Sequence, residues 1–569
     1  MPDLVAIPMI VLLAGTLVLL LLNRAAGPRN RSPLTLLIIG TAFLVLLTLA
    51  RDLPAHGTIS RWSPFFGSDL AYHVDGLAFL FAALMALLAL ATITPALGRS
   101  EYPERSSYPA LLALLAAGFS FVFSANLITL CLSWVVFDLA FLWALTASDH
   151  GGSGTKMVPR VLNLSCLACL SLLAAALLLG DSSLSLRSSS ISTPVFGLVL
   201  LAALVRVGLY PLHLWMPIGV EASLSARSLL HLIPASAGLY LLARLSAWAN
   251  GGLLWRLSPP GGVLSLSKGW GGLRGGDGQA LAIAGSLAFF IGALLAWAET
   301  DLGKILSFMM ISQVGYVITS LAVAKPPTMV ILPSLNLVLC LGLLFLSLDR
   351  SELGSLWPRA ATGLAMASLA GVPLTLGFAG RWHLYHSLLT GGHLAFLALS
   401  LLAETFLFAA LLRMWSVVSI RVFPPEFAYQ RSSVVGAALL AAPVLILGLH
   451  PPVLRSLTEV AHFPTLADLL RSTAIVQWAA FILPLLGGYL LHSEAFRRYR
   501  QRIFDPVEPL WLKLTMILRL EWLYSLLGQV AAGAAGTLRI AGRVSEGRGY
   551  LGWIAVVGLL AFLLLRSGW

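Results

Sequence analysis

Residues 200–217, LLAALVRVGLYPLHLWMP, place an arginine in the middle of an apolar run and interrupt that run shortly afterwards. Arg206 is followed by Gly208, Pro211 and His213. A lone arginine at bilayer depth costs at least about 2.5–3.5 kcal/mol, and such residues usually occupy functional positions. Glycine and proline favour a break, because glycine frees the backbone and proline removes a hydrogen-bond donor. The stretch therefore predicts a broken membrane helix that carries a functional charge.

The composition of the whole chain is that of a membrane protein. Of 569 residues, 58% are hydrophobic and 11% are charged, and the mean hydropathy is +0.90. A soluble domain has roughly 25% charged residues. Apolar runs long enough to cross about 30 Å of hydrocarbon recur along the chain. They predict an all-α polytopic membrane protein with about sixteen transmembrane helices, at residues 4–23, 34–50, 72–97, 107–125, 126–147, 157–180, 193–216, 225–249, 279–298, 303–323, 328–348, 360–388, 393–418, 433–450, 474–492 and 550–566.

The formal net charge of +12 reflects loops between spans rather than a nucleic-acid surface. Basic residues cluster in 24–31, after the first span, and in 497–502, after the fifteenth. Both loops follow odd-numbered spans, so the positive-inside rule places them in the cytoplasm and both termini on the outer side. The sequence thus predicts a multi-pass protein of the cell (inner) membrane that binds no nucleic acid.

The cysteines give no sign of cofactor chemistry. Cys166 and Cys169 form a C-x-x-C pattern, but it lies in an apolar span without polar neighbours. We expect a buried, inert pair rather than a metal or redox site. Since no phosphate-binding glycine loop, haem-ligand pattern or iron–sulfur cysteine set is present either, we expect neither a cofactor nor a metal.

A second interrupted segment lies five spans after the first. Residues 369–389, LAGVPLTLGFAGRWHLYHSLL, carry Gly371, Pro373, Gly377 and Gly380 ahead of Arg381. Paired Gly/Pro-interrupted segments in corresponding halves of a polytopic protein indicate a transporter built from repeats, with its path at the breaks. We therefore expect breaks near 208–211 and 371–380.

Four other polar residues lie in or beside the spans. Asp138 is either a structural partner of an arginine or a proton relay. His231 is more often a hydrogen-bonding residue than a relay, although its pKa suits proton transfer. Glu404 reaches Arg413, nine residues later, only through a neighbour, because that separation does not stack on one helix. Lys304 follows two acidic residues, which favours a solvated helix start.

Four segments together resemble a known family, and the resemblance runs over roughly residues 60–420. The family comprises the antiporter-like membrane subunits of proton-pumping NADH–quinone oxidoreductase (complex I), of Mrp-type cation/proton antiporters and of membrane-bound hydrogenases. The segments are SPFFGSDLAYHVDGLAFLFAAL (63–84), LVRVGLYPLHLWMPIGVEASLSARSLLH (204–231), ETDLGKILSFMMISQVGYV (299–317) and GVPLTLGFAGRWHLYHSLL (371–389).

The resemblance implies two inverted five-helix repeats, each with a broken helix, and a polar axis along the membrane midplane. The expected organisation is N-terminal helices at 1–106, a first repeat at 107–249, a Gly-rich loop at 250–278, a second repeat at 279–420, additional helices at 421–493, a lateral amphipathic segment at 494–549 and a last helix at 550–569. It also implies a proton-conducting subunit of a multi-subunit ion-translocating complex, NADH–quinone oxidoreductase-like or Mrp-like. Other membrane subunits and protons or monovalent cations would be its partners, and any redox chemistry would belong to those subunits.

The sequence departs from the family pattern at several positions. The glutamate that usually follows the tryptophan of the fifth span is Val135 here. The nearest acid, Asp138, comes one helical turn later, so we expect it on roughly the same face of the helix. The usual histidine and lysine of the eleventh span are Leu337 and Leu341. Arginines stand at the lysine position of the seventh span and at the lysine or glutamate position of the twelfth. Because a guanidinium stays protonated in proteins, Arg206 cannot relay a proton as lysine can.

We therefore predict an ion pathway over four residues and five supporting ones. Asp138 and Arg206 would face one cavity as a coupled ion pair, His231 would be a relay, and Arg381 a fixed charge. The supporting residues are His213, Pro211, Glu221, Lys304 and Glu404. Two alternatives stay open. One is a degenerate scaffold that no longer pumps, and the other is a membrane partner of an inorganic-carbon uptake complex.

Overall fold

The described part of residues 1–501 is a bundle of long helices with a small β-hairpin. The structure is a computed structural model that describes residues 5–26, 31–60, 70–98, 107–149, 151–179, 193–216, 218, 222–249, 277–323, 328–348, 356–420, 431–454, 475–493, 508–520 and separate residues between 522 and 536. In chain order the elements are α1 (Ile7–Ala26), α2 (Ser32–Leu49), β1 (Ala55–Ser60), β2 (Leu70–Val74), α3 (Gly76–Ile93), α4 (Tyr108–Phe123), α5 (Leu127–Ser148), α6 (Ser153–Leu179), α7 (Thr193–Val207), α8 (Leu224–Ala249), α9 (Asp277–Ala298), α10 (Leu302–Val323), α11 (Thr328–Ser347), α12 (Leu356–Leu369), α13 (Leu376–Thr390), α14 (Leu394–Ile420), α15 (Arg431–Leu449), α16 (Ile475–His492) and α17 (Glu508–Leu518).

These helices match the predicted spans closely. Among the described residues, twelve helices are long and apolar enough to cross a membrane. Two more, Tyr108–Phe123 and Pro194–Val207, are apolar but shorter. The predicted span at 360–388 is a pair of short helices, α12 and α13. The sixteenth span, 550–566, lies outside the described residues, so the count of sixteen stays a prediction.

The chain divides into two compact units, Met1–Gln501 and Arg502–Trp569. In the second unit the structure describes the 11-residue helix α17. This helix falls within the predicted lateral segment at 494–549, and a lateral role for that segment stays a prediction.

Part of the bundle surface is apolar, as expected for a membrane protein. On α5, Val135, Val136 and Leu139 are 46%, 53% and 62% exposed. Leu177 of α6 is 75% exposed. Cys166 also lies on the exposed surface of α6, so the prediction of a buried cysteine pair is wrong at this residue.

A β-hairpin precedes α3, where the sequence predicted the start of a span at residue 72. Strands β1 and β2 pair antiparallel. The hairpin is tied to the helices, because the Ala125 amide donates to the Ala71 carbonyl at 3.0 Å and the Ala71 amide donates to Thr129 Oγ1 at 3.2 Å. Helix α3 begins only after Asp75, whose carboxylate accepts the Ala78 amide at 2.9 Å and caps the helix.

The first predicted break is present at the end of α7. Gly208 adopts the left-handed conformation, with φ +75°. The Leu209 amide reaches back five residues to the Leu204 carbonyl at 3.1 Å. This is the hydrogen bond of a Schellman helix end, which favours glycine at its left-handed position. A short 3₁₀ turn, Leu212–Trp215, follows.

The second break repeats this geometry at the end of α12. Gly371 has φ +72°, and the Val372 amide reaches back five residues to the Ala367 carbonyl at 2.9 Å. The break occupies 370–375, so Gly377 and Gly380 lie inside α13 rather than in the break. In both halves of the bundle, therefore, a glycine ends a helix by the same backbone hydrogen bond.

Gly377 makes the close approach of α13 to α12 possible, and we expect Gly377→Ala to destabilise the protein. A Cβ atom there would lie 1.8 Å from the backbone oxygen of Ser368, which cannot move without shifting α12. Overpacking costs typically about 1–3 kcal/mol and more against rigid backbone, so we expect a loss of about 3 kcal/mol. Thermal unfolding in detergent measures it.

Gly197→Ala is the matched control for that substitution. Gly197 lies in α7 with nothing within 4 Å of its Cβ position. Alanine there should be neutral or stabilise by about 0.5–1 kcal/mol, because glycine loses more backbone entropy on folding. Equal stability of the two variants would contradict the packing described for Gly377.

Candidate functional site

Arg206 and Asp138 form the predicted ion pair. Arg206, in the last turn of α7, donates from Nη1 to Asp138 Oδ1 of α5 at 2.7 Å. Both residues are buried, at 6% and 7% exposure. The other carboxylate oxygen of Asp138 accepts the hydroxyl of Ser165 on α6. The pair therefore joins three helices of the first half of the bundle.

The Arg206 guanidinium lies against aromatic rings and lines a small cavity. Its guanidinium carbon lies 3.9 Å from the Trp134 ring centroid and 4.7 Å from that of Phe137. Nε and Nη2 of Arg206 have no hydrogen-bond partner among the described residues. A cavity lined by Asp138, Arg206, Ser165 and Trp215, among others, has room for about one water molecule. Arg206 thus donates to its carboxylate with one nitrogen and lines a cavity that can hold water.

The position of the acid corrects the sequence analysis. Val135, taken as the family's glutamate position, is 46% exposed on the outer surface of α5. An acid at that residue would point away from Arg206. Asp138 is buried one turn later and makes the contact itself, so the expectation that both positions share a face is wrong.

The supporting residues beside the first break are only partly described. Pro211 caps the 3₁₀ turn that contains His213. His213 is 1% exposed, and its Nδ1 has no partner among the described residues. Trp215 donates from Nε1 to the Val205 carbonyl at 2.6 Å, which fixes the turn against α7. Glu221 lies outside the described residues.

His231 connects the two halves of the bundle. It lies in α8 with no exposed surface. Its Nδ1 is 2.8 Å from the Arg227 carbonyl oxygen, and its Nε2 is 3.0 Å from Ser307 Oγ on α10. The Ser307 hydroxyl also lies 2.9 Å from the Gly303 carbonyl oxygen.

The geometry around His231 accommodates both protonation states of the ring. A carbonyl oxygen only accepts hydrogen bonds, so His231 Nδ1 carries a hydrogen and donates it to the backbone carbonyl of Arg227. If Nε2 is bare, the Ser307 hydroxyl donates to it. If Nε2 is protonated, it donates to Ser307, whose hydroxyl then turns to Gly303. Rotation of one hydroxyl therefore serves both states without moving a heavy atom.

Arg381 and Glu404 form a second buried ion pair. Arg381, in α13, is completely buried, and its Nε donates to Glu404 Oε1 of α14 at 2.5 Å. Its Nη2 donates to the Leu369 carbonyl, and longer contacts of 3.5 and 3.4 Å join Nη1 to the carbonyls of Ser368 and Gly377. Arg381 therefore caps the broken end of α12 while it holds the carboxylate.

This pairing was not predicted from the sequence. Glu404 was expected to reach Arg413 through a neighbour, but it contacts Arg381 directly. Arg413 instead donates to the backbone carbonyls of Ala296 and Glu299. Arg381 and Glu404 are 23 residues apart on different helices, so helical periodicity does not predict their contact. Only the need of each buried charge for a counter-charge favours the pair.

The interior beside Arg381 remains polar despite the leucines. Leu337 and Leu341 are both fully buried in α11. Asn336 directly precedes Leu337, and its Oδ1 accepts from Ser368 Oγ at 2.6 Å, while its Nδ2 has no partner among the described residues. Gln313 Nε2, in the buried helix α10, has no partner among them either. Buried amides of this kind are usually satisfied by water.

Lys304 lies at a helix start, as expected. The Lys304 amide donates to Asp301 Oδ1 at 2.9 Å, so Asp301 caps α10. The Lys304 side chain is partly exposed. It belongs to none of the three clusters around Arg206, His231 and Arg381.

A third ion pair, missed by the sequence analysis, joins α3 to α8. Arg244 holds Asp75 with both terminal nitrogens, at 2.5 and 2.6 Å, and its Nε donates to Tyr240 at 3.0 Å. Burial alone would raise the pKa of Asp75, but Arg244 outweighs this and lowers it to about 2. Asp75 lies in the quoted segment 63–84, but the sequence does not indicate that Arg244 is its partner.

Comparison with known proteins supports the same fold. No protein-family model matches the chain. Subunit A1 of a Na(+)/H(+) antiporter from Staphylococcus aureus is 25% identical over 303 residues, which cover 49% of this chain and 35% of the relative. The match therefore spans about a third of the length of such curated relatives.

Three solved complexes contain chains of similar structure. A chain of the Mrp complex from Dietzia sp. has a TM-score of 0.77 at 21% identity, covering 99% of this chain and 62% of that one. A chain of an archaeal membrane-bound sulfane sulfur reductase has a TM-score of 0.70 at 18% identity, and the match covers 98% of this chain and 99% of that one. A chain of Thermus thermophilus respiratory complex I has a TM-score of 0.61 at 22% identity, and the match covers 80% of this chain and 100% of that one. The resemblance to antiporter-like membrane subunits is confirmed, and the fold is theirs.

Proposed function

We propose that this chain is a proton-conducting, antiporter-like membrane subunit of a multi-subunit ion-translocating complex, NADH–quinone oxidoreductase-like or Mrp-like. Other membrane subunits would be its partners, and protons or monovalent cations its cargo. It would lie in the cell membrane with both termini on the outer side, as its basic loops suggest. The similarity to the Mrp, sulfane sulfur reductase and complex I chains supports this proposal.

The observation that carries the proposal is the position of His231. It lies at the contact of α8 with α10, with a buried ion pair in each half of the bundle. Histidine is the side chain whose ordinary pKa suits proton exchange near neutrality. The Ser307 hydroxyl accepts or donates as the ring requires, so His231 is equipped to pass a proton between the halves.

In this proposal the two arginines are fixed charges. A guanidinium does not release its proton in proteins, so protons must pass over Asp138, His231 or water. Arg206 faces a cavity with room for water and orients Asp138. Arg381 neutralises Glu404 at the second break. The family's lysine position is thus kept as a charge but not as a proton donor.

We further propose that α4–α8 and α9–α14 are two repeats related by inversion. Each group has five helices when α12 and α13 are counted as one broken helix. The fourth helix of each group is the one that breaks, at Gly208 in the first and at Gly371 in the second. The same five-residue backbone hydrogen bond ends the helix in both. A transporter path at such paired breaks is the expected arrangement.

We expect His231→Gln to abolish proton conduction while leaving the protein folded. Glutamine can donate to the Arg227 carbonyl and contact Ser307, but it does not titrate. Losing a positioned proton-transfer group costs about 10²–10⁴-fold, so we expect flux to fall at least about 100-fold. Proton flux into vesicles containing the intact complex measures it, beside complex yield. His393→Gln, at an exposed position, is the control.

A non-pumping scaffold is the second candidate, and the buried Leu337 and Leu341 favour it. They stand where the family usually carries titratable residues, and both apolar side chains are fully buried. If the chain is a scaffold, His231→Gln will leave both yield and flux of the complex unchanged.

A further inference from the structure

Two histidines lie face to face on the hairpin that precedes α3. His56 of β1 and His73 of β2 are directly opposite in the strand register. Their Nδ1 atoms are 2.8 Å apart, and their rings stack with centroids 4.2 Å apart and planes 29° apart. The hairpin is outside the membrane-spanning helices and outside the ion-path clusters described above.

We propose that His56 and His73 form a surface site for a divalent late transition-metal ion, Ni²⁺, Cu²⁺ or Zn²⁺. Imidazole nitrogen is a preferred ligand of these ions. With metal–nitrogen bonds of about 2.0–2.1 Å, two ligands at a right angle lie about 2.9 Å apart and two tetrahedral ligands about 3.3 Å apart. The observed 2.8 Å separation is within about 0.1 Å of the first geometry and about 0.5 Å of the second.

The protons of the pair favour displacement by a metal. Two Nδ1 atoms in contact can share one hydrogen, but a second hydrogen at the contact would set two N–H donors against each other. A divalent ion satisfies both lone pairs at once. Metal binding needs both Nδ1 atoms without hydrogen, which the neutral Nε2–H tautomer of each ring provides.

The position of the hairpin makes the site accessible and firm. His56 is exposed, so an ion can approach from solvent, whereas His73 is 5% exposed and held by packing. Strand β2 is fixed to the helices by the Ala71 contacts with Ala125 and Thr129. A bound ion would therefore clamp β1 onto an already anchored β2.

Water would complete the coordination. Among the described residues, no three histidine, cysteine, aspartate or glutamate side chains converge on one point. A two-histidine site with water ligands favours the imidazole-binding ions over Mg²⁺, which prefers oxygen ligands.

Isothermal titration of the tag-free full chain in detergent with NiCl₂, ZnCl₂ and MgCl₂ tests the proposal. We expect one Ni²⁺ or Zn²⁺ per chain and no Mg²⁺ binding. His56→Gln and His73→Gln should each weaken Ni²⁺ binding at least about 10-fold, since even outer groups of metal sites contribute 10–100-fold. X-ray absorption of the Ni²⁺ complex should show two imidazole ligands.

Two exposed histidines provide matched controls, His393→Gln and His450→Gln, which should bind Ni²⁺ as the parent does. Ni²⁺ should also raise the melting temperature of the parent but not of His56→Gln, because it binds only the folded hairpin. Undiminished binding in the His56→Gln/His73→Gln double variant, or no Ni²⁺ binding by the parent, overturns the proposal. Should His73→Gln fail to fold, His56→Gln at its exposed position decides alone. Binding requires no ion gradient, so the result is independent of proton conduction.

Discussion

In Arg381→Met, we expect most of the folded protein to be lost. The substitution leaves Glu404, at 5% exposure, as a buried carboxylate without its cation. It also removes the donor for the Leu369 carbonyl at the end of α12, where the helix dipole favours a positive charge. Breaking one side of a buried pair costs about 3–5 kcal/mol, a large part of a typical folding free energy. Monodisperse yield and thermal unfolding in detergent measure the loss.

The double variant Arg381→Met/Glu404→Leu separates the two contributions. Removing both charges should recover most of the loss, because replacing a buried pair by apolar side chains is often neutral. The helix-end carbonyls stay without donors, which leaves a cost of about 1–3 kcal/mol. Arg51→Met, at an exposed arginine, should be neutral. A double variant less stable than the single one would contradict this account of Arg381.

For Arg206, we expect lysine to be tolerated and alanine to be damaging. Arg206 uses one nitrogen for Asp138, at 2.7 Å, so an ammonium group can make the same contact. Lysine loses the flat stacking on Trp134, at a cost of about 1–2 kcal/mol. Arg206→Ala strands Asp138 and should cost about 3–5 kcal/mol and reduce the yield of intact complex.

Proton flux in vesicles, measured beside the yield, then tests the fixed-charge role of Arg206. Arg206→Lys should assemble and retain most of the flux. Asp138→Asn/Arg206→Ala removes both charges, so it should assemble, but flux should fall because the orienting pair is gone. If flux is unchanged in that double variant, the scaffold interpretation is supported instead. Normal yield with abolished flux in Arg206→Lys would show that the guanidinium itself is needed for transport.

The sequence was most informative where the signal was local. Apolar runs predicted the helices, because a bilayer imposes about the same length on each. The breaks followed from glycine, which alone adopts the left-handed conformation of Gly208 and Gly371 at no steric cost. The pair of Asp138 with Arg206 could be predicted as well, since two opposite charges at bilayer depth need each other.

Information that depends on distant packing was beyond the sequence. Only the crossing of α13 and α14 selects Glu404 as the partner of Arg381. The outward direction of Val135 depends on which face of α5 meets α7, and the apolar residues all around that helix hide it. The hairpin was missed although Asp75 and Gly76 separate its second strand from the apolar helix, because both residues were included in the span predicted to begin at residue 72.

The two breaks differ in how easily their charge can be replaced over evolutionary time. At the first, backbone hydrogen bonds end α7, and the side chain of Arg206 takes no part in them. Another basic residue, lysine, can therefore arise there by one substitution, because it keeps the charge beside Asp138 and the helix end persists without it. At the second, Arg381 is itself part of the helix end, so its replacement requires a simultaneous change at Glu404. The first break is thus open to a stepwise exchange of one cation for another, whereas at the second the arginine and Glu404 are expected to change together.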